Sequence, residues 1–275
     1  MTSALPDRSA RGRALLGLAL AGLLALSLPA SAAEEPLVTD RPDQTESAEV
    51  VPKGTLQLEA GWTFTRDDEG AARLEQHEIP QTLLRVGVSR RIELRFGWDG
   101  YATSEIESPA GRVDHDGVGD ASLGLKALLR PATGREPQIA LLAGTTLPVG
   151  DDEVTSDEAD PELRLALAHD LTDRLSLGYN VGVARESEPG EGSRELAFGT
   201  VALGIGLGDR TGMFLELFGD TPLDSGDGDG ALSFDAGVTY LLRDTVQLDL
   251  AAGRRLGGAA PDWFLGVGLS WRWPR

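Results

Sequence analysis

From Thr55 onward the chain alternates residue by residue between apolar side chains and polar ones or glycine, in about a dozen separate runs. Successive side chains of a strand point to opposite faces, so this period belongs to strands whose two faces meet different surroundings. Between Thr55 and Thr65, Leu56, Leu58, Ala60, Trp62 and Phe64 share one face, and Gln57, Glu59, Gly61 and Thr63 share the other. The division recurs where Ile92, Leu94, Phe96 and Trp98 oppose Arg91, Glu93, Arg95 and Gly97, and again through 174–184. Further runs at 81–89, 118–130, 137–147, 161–169, 194–207, 211–219, 231–242, 245–254 and 262–273 bring the expected number of antiparallel strands to twelve.

A soluble sandwich would also alternate, and the connections separate the two cases. Short turns near 89–90, 131–136, 170–173, 208–210 and 243–244 take turns with longer segments at 66–80, 101–117, 148–160, 186–193, 220–230 and 255–261. Outer-membrane barrels keep that rhythm, with short periplasmic turns and long external loops. With the amino terminus in the periplasm, Trp62, Phe64, Trp98, Phe218 and Trp263 fall near external strand ends, and Phe214, Tyr240, Trp271 and Trp273 near periplasmic ones. Two aromatic girdles result, as expected of a membrane-spanning barrel. The predicted fold is therefore an all-β transmembrane antiparallel barrel of about twelve strands over residues 55–273. Its last strand, with Gly268 followed by Trp271 and Trp273, resembles the carboxy-terminal signal recognised by the barrel-assembly machinery.

The first 33 residues read as a secretory signal: Arg8, Arg11 and Arg13 precede the apolar run Ala14 to Leu28, and small residues follow, so cleavage is expected near Ala33. No later stretch is long and apolar enough for a helical span. The sequence contains no cysteine, hence neither a disulfide framework nor a thiolate site. Its net charge of -19 becomes -21 once the signal's three Arg and one Asp are removed, which excludes nucleic-acid binding by general electrostatics. The expected location is the bacterial outer membrane, with its lipid, lipopolysaccharide and the assembly machinery as partners.

Thr39-Asp-Arg-Pro-Asp-Gln-Thr-Glu-Ser47, followed by Val51-Pro-Lys-Gly54 and Leu56-Gln-Leu-Glu59, resembles the opening of a bacterial family labelled "putative MetA-pathway of phenol degradation". Gly117-Val-Gly-Asp-Ala-Ser-Leu-Gly-Leu-Lys126 and Leu147-Pro-Val-Gly-Asp151 look like two later motifs of that family. The resemblance implies an outer-membrane barrel passing small hydrophobic or aromatic compounds, and it carries no catalytic residues to transfer.

The inward faces put Glu59, Arg85, Glu93, Arg95, Lys126, Glu162, Arg164, Glu216, Asp235 and Asp249 into the lumen, where they line an aqueous path or pair across it. Residues 34–54, with Asp40, Arg41, Pro42 and Asp43, form either an unstructured periplasmic lead-in or a small plug in which Arg41 pairs a lumenal carboxylate. The windows 66–80, 101–117, 148–160, 186–193 and 220–230 hold 22 acidic and three basic residues, giving a negative external mouth that concentrates cations, or simply solvated loops. Asp224 to Gly230 only partly fills a calcium-loop pattern, so no metal ligand and no cofactor is expected. His77, His115 and His169 stand without a serine partner, and no catalytic motif occurs. The expected function is a passive channel for small solutes. The alternatives are a closed structural or adhesive barrel and, third, a lipid-acting enzyme depending on His169 or His115.

Overall fold

A computed structural model describes residues 37–134, 136–188, 192–224 and 229–273. The expected signal segment 1–33 and most of the Asp224 to Gly230 turn lie outside the described residues. The alternating runs form strands β1 (Leu56–Glu69), β2 (Ala72–Gly87), β3 (Ile92–Trp98), β4 (Tyr101–Ser108), β5 (Gly111–Val118), β6 (Ala121–Arg130) and β7 (Gln138–Leu147). They continue as β8 (Pro161–Thr172), β9 (Leu175–Glu188), β10 (Gly192–Gly206), β11 (Thr211–Pro222), β12 (Ala231–Arg243), β13 (Val246–Gly258) and β14 (Trp263–Arg272).

Twelve of these strands close a barrel. β1, β2, β3 and then β6 to β14 pair in order, and β14 returns to β1, from Gln57↔Arg272 to Arg66↔Trp263. Closure leaves no open edge within the ring, which is what a bilayer demands of a spanning sheet. The distribution of polarity is inverted relative to a soluble protein. Glu93 and Lys126 are wholly buried, whereas their chain neighbours Leu94 and Leu125 are 38% and 39% exposed on the outer wall. Apolar side chains facing outward around a polar interior need lipid rather than water outside.

β4 and β5 stand apart from the ring as a hairpin paired to the outer half of β2, from Arg73↔Glu107 to Ile79↔Tyr101. β2 exchanges β3 for β4 at Pro80, a residue that has no N–H to give the ladder. The turn from β3 to β4 uses Gly100 at φ 84°, where a Cβ would also sit 2.5 Å from the Pro80 carbonyl oxygen.

Segments 66–80 and 101–117, expected as loops, are thus largely strand, and 186–193 and 255–261 shrink because β9, β10 and β13 run further than expected. Strands that project into water need no apolar face, since the ladder satisfies the backbone while both faces stay polar. Ion pairs take over the cross-strand contacts there, as between Arg66 and Glu75 at 3.4 Å and Arg73 and Asp68 at 2.9 Å. Tyr101 donates a hydrogen bond to Asp116 across the β4–β5 hairpin, and that bond first, then partial burial, pushes its phenol up to about 12.

The chain ahead of β1 runs inside the ring. The Leu37 N–H donates to the Asp244 carbonyl in the β12–β13 turn, and the Gly54 N–H to the Gly87 carbonyl at the end of β2. Between those two anchors on the short-turn rim, residues 38–53 form a strap through the lumen. Ala48 packs against Ala140, Leu142 and Ala166 in the one apolar cluster among the described buried residues. Gly87 is required where the strap leaves, because a Cβ there would lie 2.2 Å from the Pro52 carbonyl oxygen.

Candidate functional site: the lumenal strap and its two vestibules

Polar groups of the strap need partners once inside the barrel, and the inward faces of the strands supply most of them, leaving Arg41 Nε and Ser47 Oγ without one. Asp40 is the centre of the first set of contacts. Its Oδ2 accepts from Arg95 at 2.5 Å and Lys126 at 2.8 Å and lies 3.1 Å from Arg85, while Oδ1 accepts from the Ser47 N–H at 2.9 Å. Arg85 also donates to Glu93 at 2.8 Å and Glu59 at 2.9 Å, and Arg95 grips Glu46 with two bonds of 2.8 Å. The backbone is held the same way: Glu59 accepts the N–H groups of Asp40 and Arg41, and Glu93 that of Val51. On this wall, built by β1, β2, β3 and β6, three cations face four carboxylates and donors match acceptors.

Arg41 crosses to the β1–β14 seam. Gly61 and Gly268 are register partners there, and a Cβ on either would lie 2.4 Å from the Arg41 guanidinium group. The two glycines leave a pit that the side chain fills, with its Nη2 3.3 Å from Asp249 and 3.3 Å from the Val267 carbonyl oxygen.

The third set lies on β8 to β12. Glu216 accepts the Gln44 N–H at 2.8 Å and the Thr45 hydroxyl at 2.5 Å, and Thr200 donates to that hydroxyl at 2.6 Å. Asn180 exchanges two bonds with the Glu46 backbone, and Arg164 donates to the Gln44 carbonyl at 3.0 Å. Asp235, cross-strand partner of Glu216, is fully buried and both of its oxygens lack a donor.

The expected lumenal residues all project inward. Glu59, Arg85, Glu93, Arg95 and Lys126 meet through Asp40, Glu216 and Asp235 adjoin each other, Asp249 meets Arg41, and Glu162 pairs at 2.9 Å with Arg164, which also holds the Gln44 carbonyl. Not singled out from the sequence were Gln57, Thr45, Glu46, Asn180 and Gly61, and Gly268 was noted only within the carboxy-terminal signal. Gln57, Gly61 and Asn180 lie on polar faces of the alternation, but nothing in a one-dimensional pattern distinguishes a position that meets the strap from one that meets water.

Two cavities flank the strap. The outer one, about 870 Å³, is bordered by Glu162, Glu186, Phe218 and Phe264, the two rings lying edge to face at 6.2 Å. The inner one, about 410 Å³, is bordered by Thr39, Ser176, Phe214 and Gln247. Arg41, Pro42 and Asp43 border both. At the outer rim, acidic residues secure the segment after β7: Asp120 accepts the N–H groups of Val149 and Gly150, and Asp160 accepts the backbone N–H and the side-chain O–H of Ser187.

Two of the three histidines have aromatic or phenolic neighbours. His77 stacks on Trp62 and meets Phe64, and His169 Nε2 is 3.0 Å from the Tyr179 hydroxyl. His115 sits on β5 opposite Ser104 of β4, out on the projecting hairpin. Among the described residues no group of three His, Asp or Glu is arranged to hold a metal ion.

Residues 39–273 match the family model described as "Putative MetA-pathway of phenol degradation". No curated protein matches the sequence. Among solved structures the chain is similar to an outer-membrane channel from Pseudomonas putida F1, at 15% identity and TM-score 0.64, over 82% of this chain and 98% of that one. It is also similar to the translocator domain of the autotransporter NalP from Neisseria meningitidis, at 10% identity and TM-score 0.50, over 97% of this chain and 98% of that one. At such identities the likeness speaks to the fold. Together with the closed ring and the apolar outer wall, it makes this chain an outer-membrane β-barrel.

Proposed function

The chain belongs to the family described as "Putative MetA-pathway of phenol degradation", and on that premise we propose that it is a passive channel for small, hydrophobic or aromatic solutes, closed in this conformation by its strap. One observation carries the reading: the two vestibules are stacked on a single partition, Arg41-Pro42-Asp43. Moving three residues joins them into one path. Twelve strands enclose more space than the eight whose side chains fill a barrel, so a strap that withdraws leaves an aqueous lumen. The outer vestibule offers aromatic edges at Phe218 and Phe264 beside carboxylates at Glu162 and Glu186, a lining suited to a flat solute and to cations over anions. The related channel from Pseudomonas putida F1 supports the same class of activity.

No catalytic step is part of this reading, since His77 and His169 are engaged by aromatic neighbours and His115 lies on the projecting hairpin. Lipid on the outer wall, lipopolysaccharide at the acidic rim and assembly machinery acting on β14 are its proposed partners.

The test is flux into liposomes carrying refolded protein, with barrel formation verified by heat-modifiable gel migration. A neutral phenol and a small cation should enter faster than into empty vesicles, and faster still after deletion of residues 38–47. No entry through either folded form would favour the closed structural or adhesive barrel.

A further inference from the structure

Resting on the reading that the strap closes the path, the geometry points to the carboxyl pair Glu216–Asp235 as a proton-binding latch that holds Gln44 and Thr45 down and releases them as pH rises. Glu216 and Asp235 face each other across β11 and β12 with relative exposures of 1% and 0%. Opposed positions on one face of a sheet bring side chains within about 5 Å at Cβ, and like charges there repel. Water, the usual remedy, is excluded from both.

Glu216 spends its lone pairs on the Gln44 N–H and the Thr45 hydroxyl. Asp235 receives no donor at either oxygen. The groups packed around it do not supply a positive charge. β13 contributes Gly253 opposite it, and further along that strand Asp249 is occupied by Arg41. The strap brings up Asp43, another acid, which burial and Glu216 push well above the usual carboxylate range. Arg164 on β8 is paired with Glu162 and donates to the Gln44 carbonyl, and Arg85, Arg95 and Lys126 are committed on the opposite wall. A buried carboxylate without a donor is costly, and a proton shared within the pair removes both the charge and the repulsion.

The sign follows. With the strap docked, the pair is dry and holds one proton. With the strap withdrawn, water reaches both carboxyls and that proton is lost at a lower pH than in the docked state. The closed state therefore binds one proton more than the open state, and the open-to-closed ratio rises by up to tenfold per pH unit between the two midpoints. Thr45 would be the first contact to go, since its hydroxyl bonds Glu216 directly.

Conductance of single barrels in planar bilayers, read from pH 5 to pH 9, tests this beside the Asp235→Asn variant, which keeps shape and volume and cannot ionise. Wild type should open as pH rises, and Asp235→Asn should stay closed throughout the range. Wild-type pH dependence that persists in Asp235→Asn overturns the latch. Because the native chain has no cysteine, a nitroxide attached at Gln44→Cys reports strap motion independently of conduction. Its spectrum should sharpen at high pH in wild type and not in the Asp235→Asn background; equal sharpening in both also overturns the latch. If the label moves as expected while neither the full chain nor the 38–47 deletion conducts, the latch stands and the channel reading fails.

Discussion

The two walls that grip the strap use the same residue types to opposite effect. On β1, β2, β3 and β6, each carboxylate meets a guanidinium or ammonium group, and Asp40 alone is shared by Arg85, Arg95 and Lys126. On β11 and β12 two acids face each other, and the strap brings up a third, Asp43. The first arrangement stays intact over the whole pH range in which carboxylates and lysine are charged. The second depends on a proton. A strap fixed firmly at one side and conditionally at the other can swing without leaving the barrel, which a strap held equally on both sides cannot.

The largest break in this comparison should come from Asp40→Ala. Removing the shared carboxylate leaves three buried cations short of a partner, and losing one member of a buried ionic set typically costs about 3–5 kcal/mol. The strap should become open to added protease at every pH, and conductance should be high and insensitive to pH. Retained protection of residues 38–47 would show that the cationic wall is not the anchor. Removing Thr45, by contrast, should unfasten only the other side.

The outside of the anchor wall ranks next. Leu94 faces lipid between Glu93 and Arg95, which face the strap. Leu94→Arg places a cation in the apolar belt at a cost of about 2–4 kcal/mol near mid-bilayer, so the folded yield in lipid vesicles should fall sharply. Glu93→Gln keeps the hydrogen bond to Val51 and should fold with near-normal yield while loosening Arg85. Equal losses in both would mean that the inner and outer faces have been interchanged.

The period of two was enough to assign those faces, because alternation is local and survives without knowledge of partners. Twelve ring strands, the loop rhythm and the inward direction of the ten lumenal candidates were legible for that reason. The β4–β5 hairpin was not. Tyr101 to Val118 is polar on both faces, and a strand in water gives no hydropathy contrast to read. The lumenal network was half legible. The charges could be placed inside, but Glu93 at first sight looks replaceable by any polar residue, Arg included. The contacts to Arg85, Arg95 and Val51 make Glu93→Arg a severe change, and those contacts depend on a strap whose path no single strand encodes. The pit formed by Gly61 and Gly268 was invisible for the same reason. Their lack of a side chain has meaning only once Arg41 lies over them.

That pit offers a graded test between the walls. Gly268→Ala puts a methyl group 2.4 Å from Arg41 Nε, so the guanidinium must shift from Asp249. Overpacking of this kind costs about 1–3 kcal/mol, softened here by the flexibility of an arginine side chain. Channel opening should increase modestly at all pH values, with a slightly lower midpoint and an unchanged slope against pH, because the pit belongs to neither the balanced wall nor the carboxyl pair. A changed slope would tie Arg41 to the latch and make the partition and the latch one device.

The smallest effect is the one that addresses the carboxyl wall most directly. Thr200→Val keeps the shape of the side chain and removes the hydroxyl that donates to Thr45 at 2.6 Å. A neutral hydrogen bond of this sort contributes about 0.5–1.5 kcal/mol, enough to change an open-to-closed ratio several-fold and too little to disturb the barrel. Thr45 retains its bond to Glu216, so the requirement for the proton remains. The conductance curve should keep its slope against pH and move to a lower midpoint, because docking weakened by any neutral contact gives way at a smaller degree of ionisation. The same substitution in the Asp40→Ala background should change nothing, since a strap already released on the cationic side has no docked state left to weaken. A full Thr200→Val effect in that background would mean that the two walls hold the strap independently, and that the swing between them is not how the path opens.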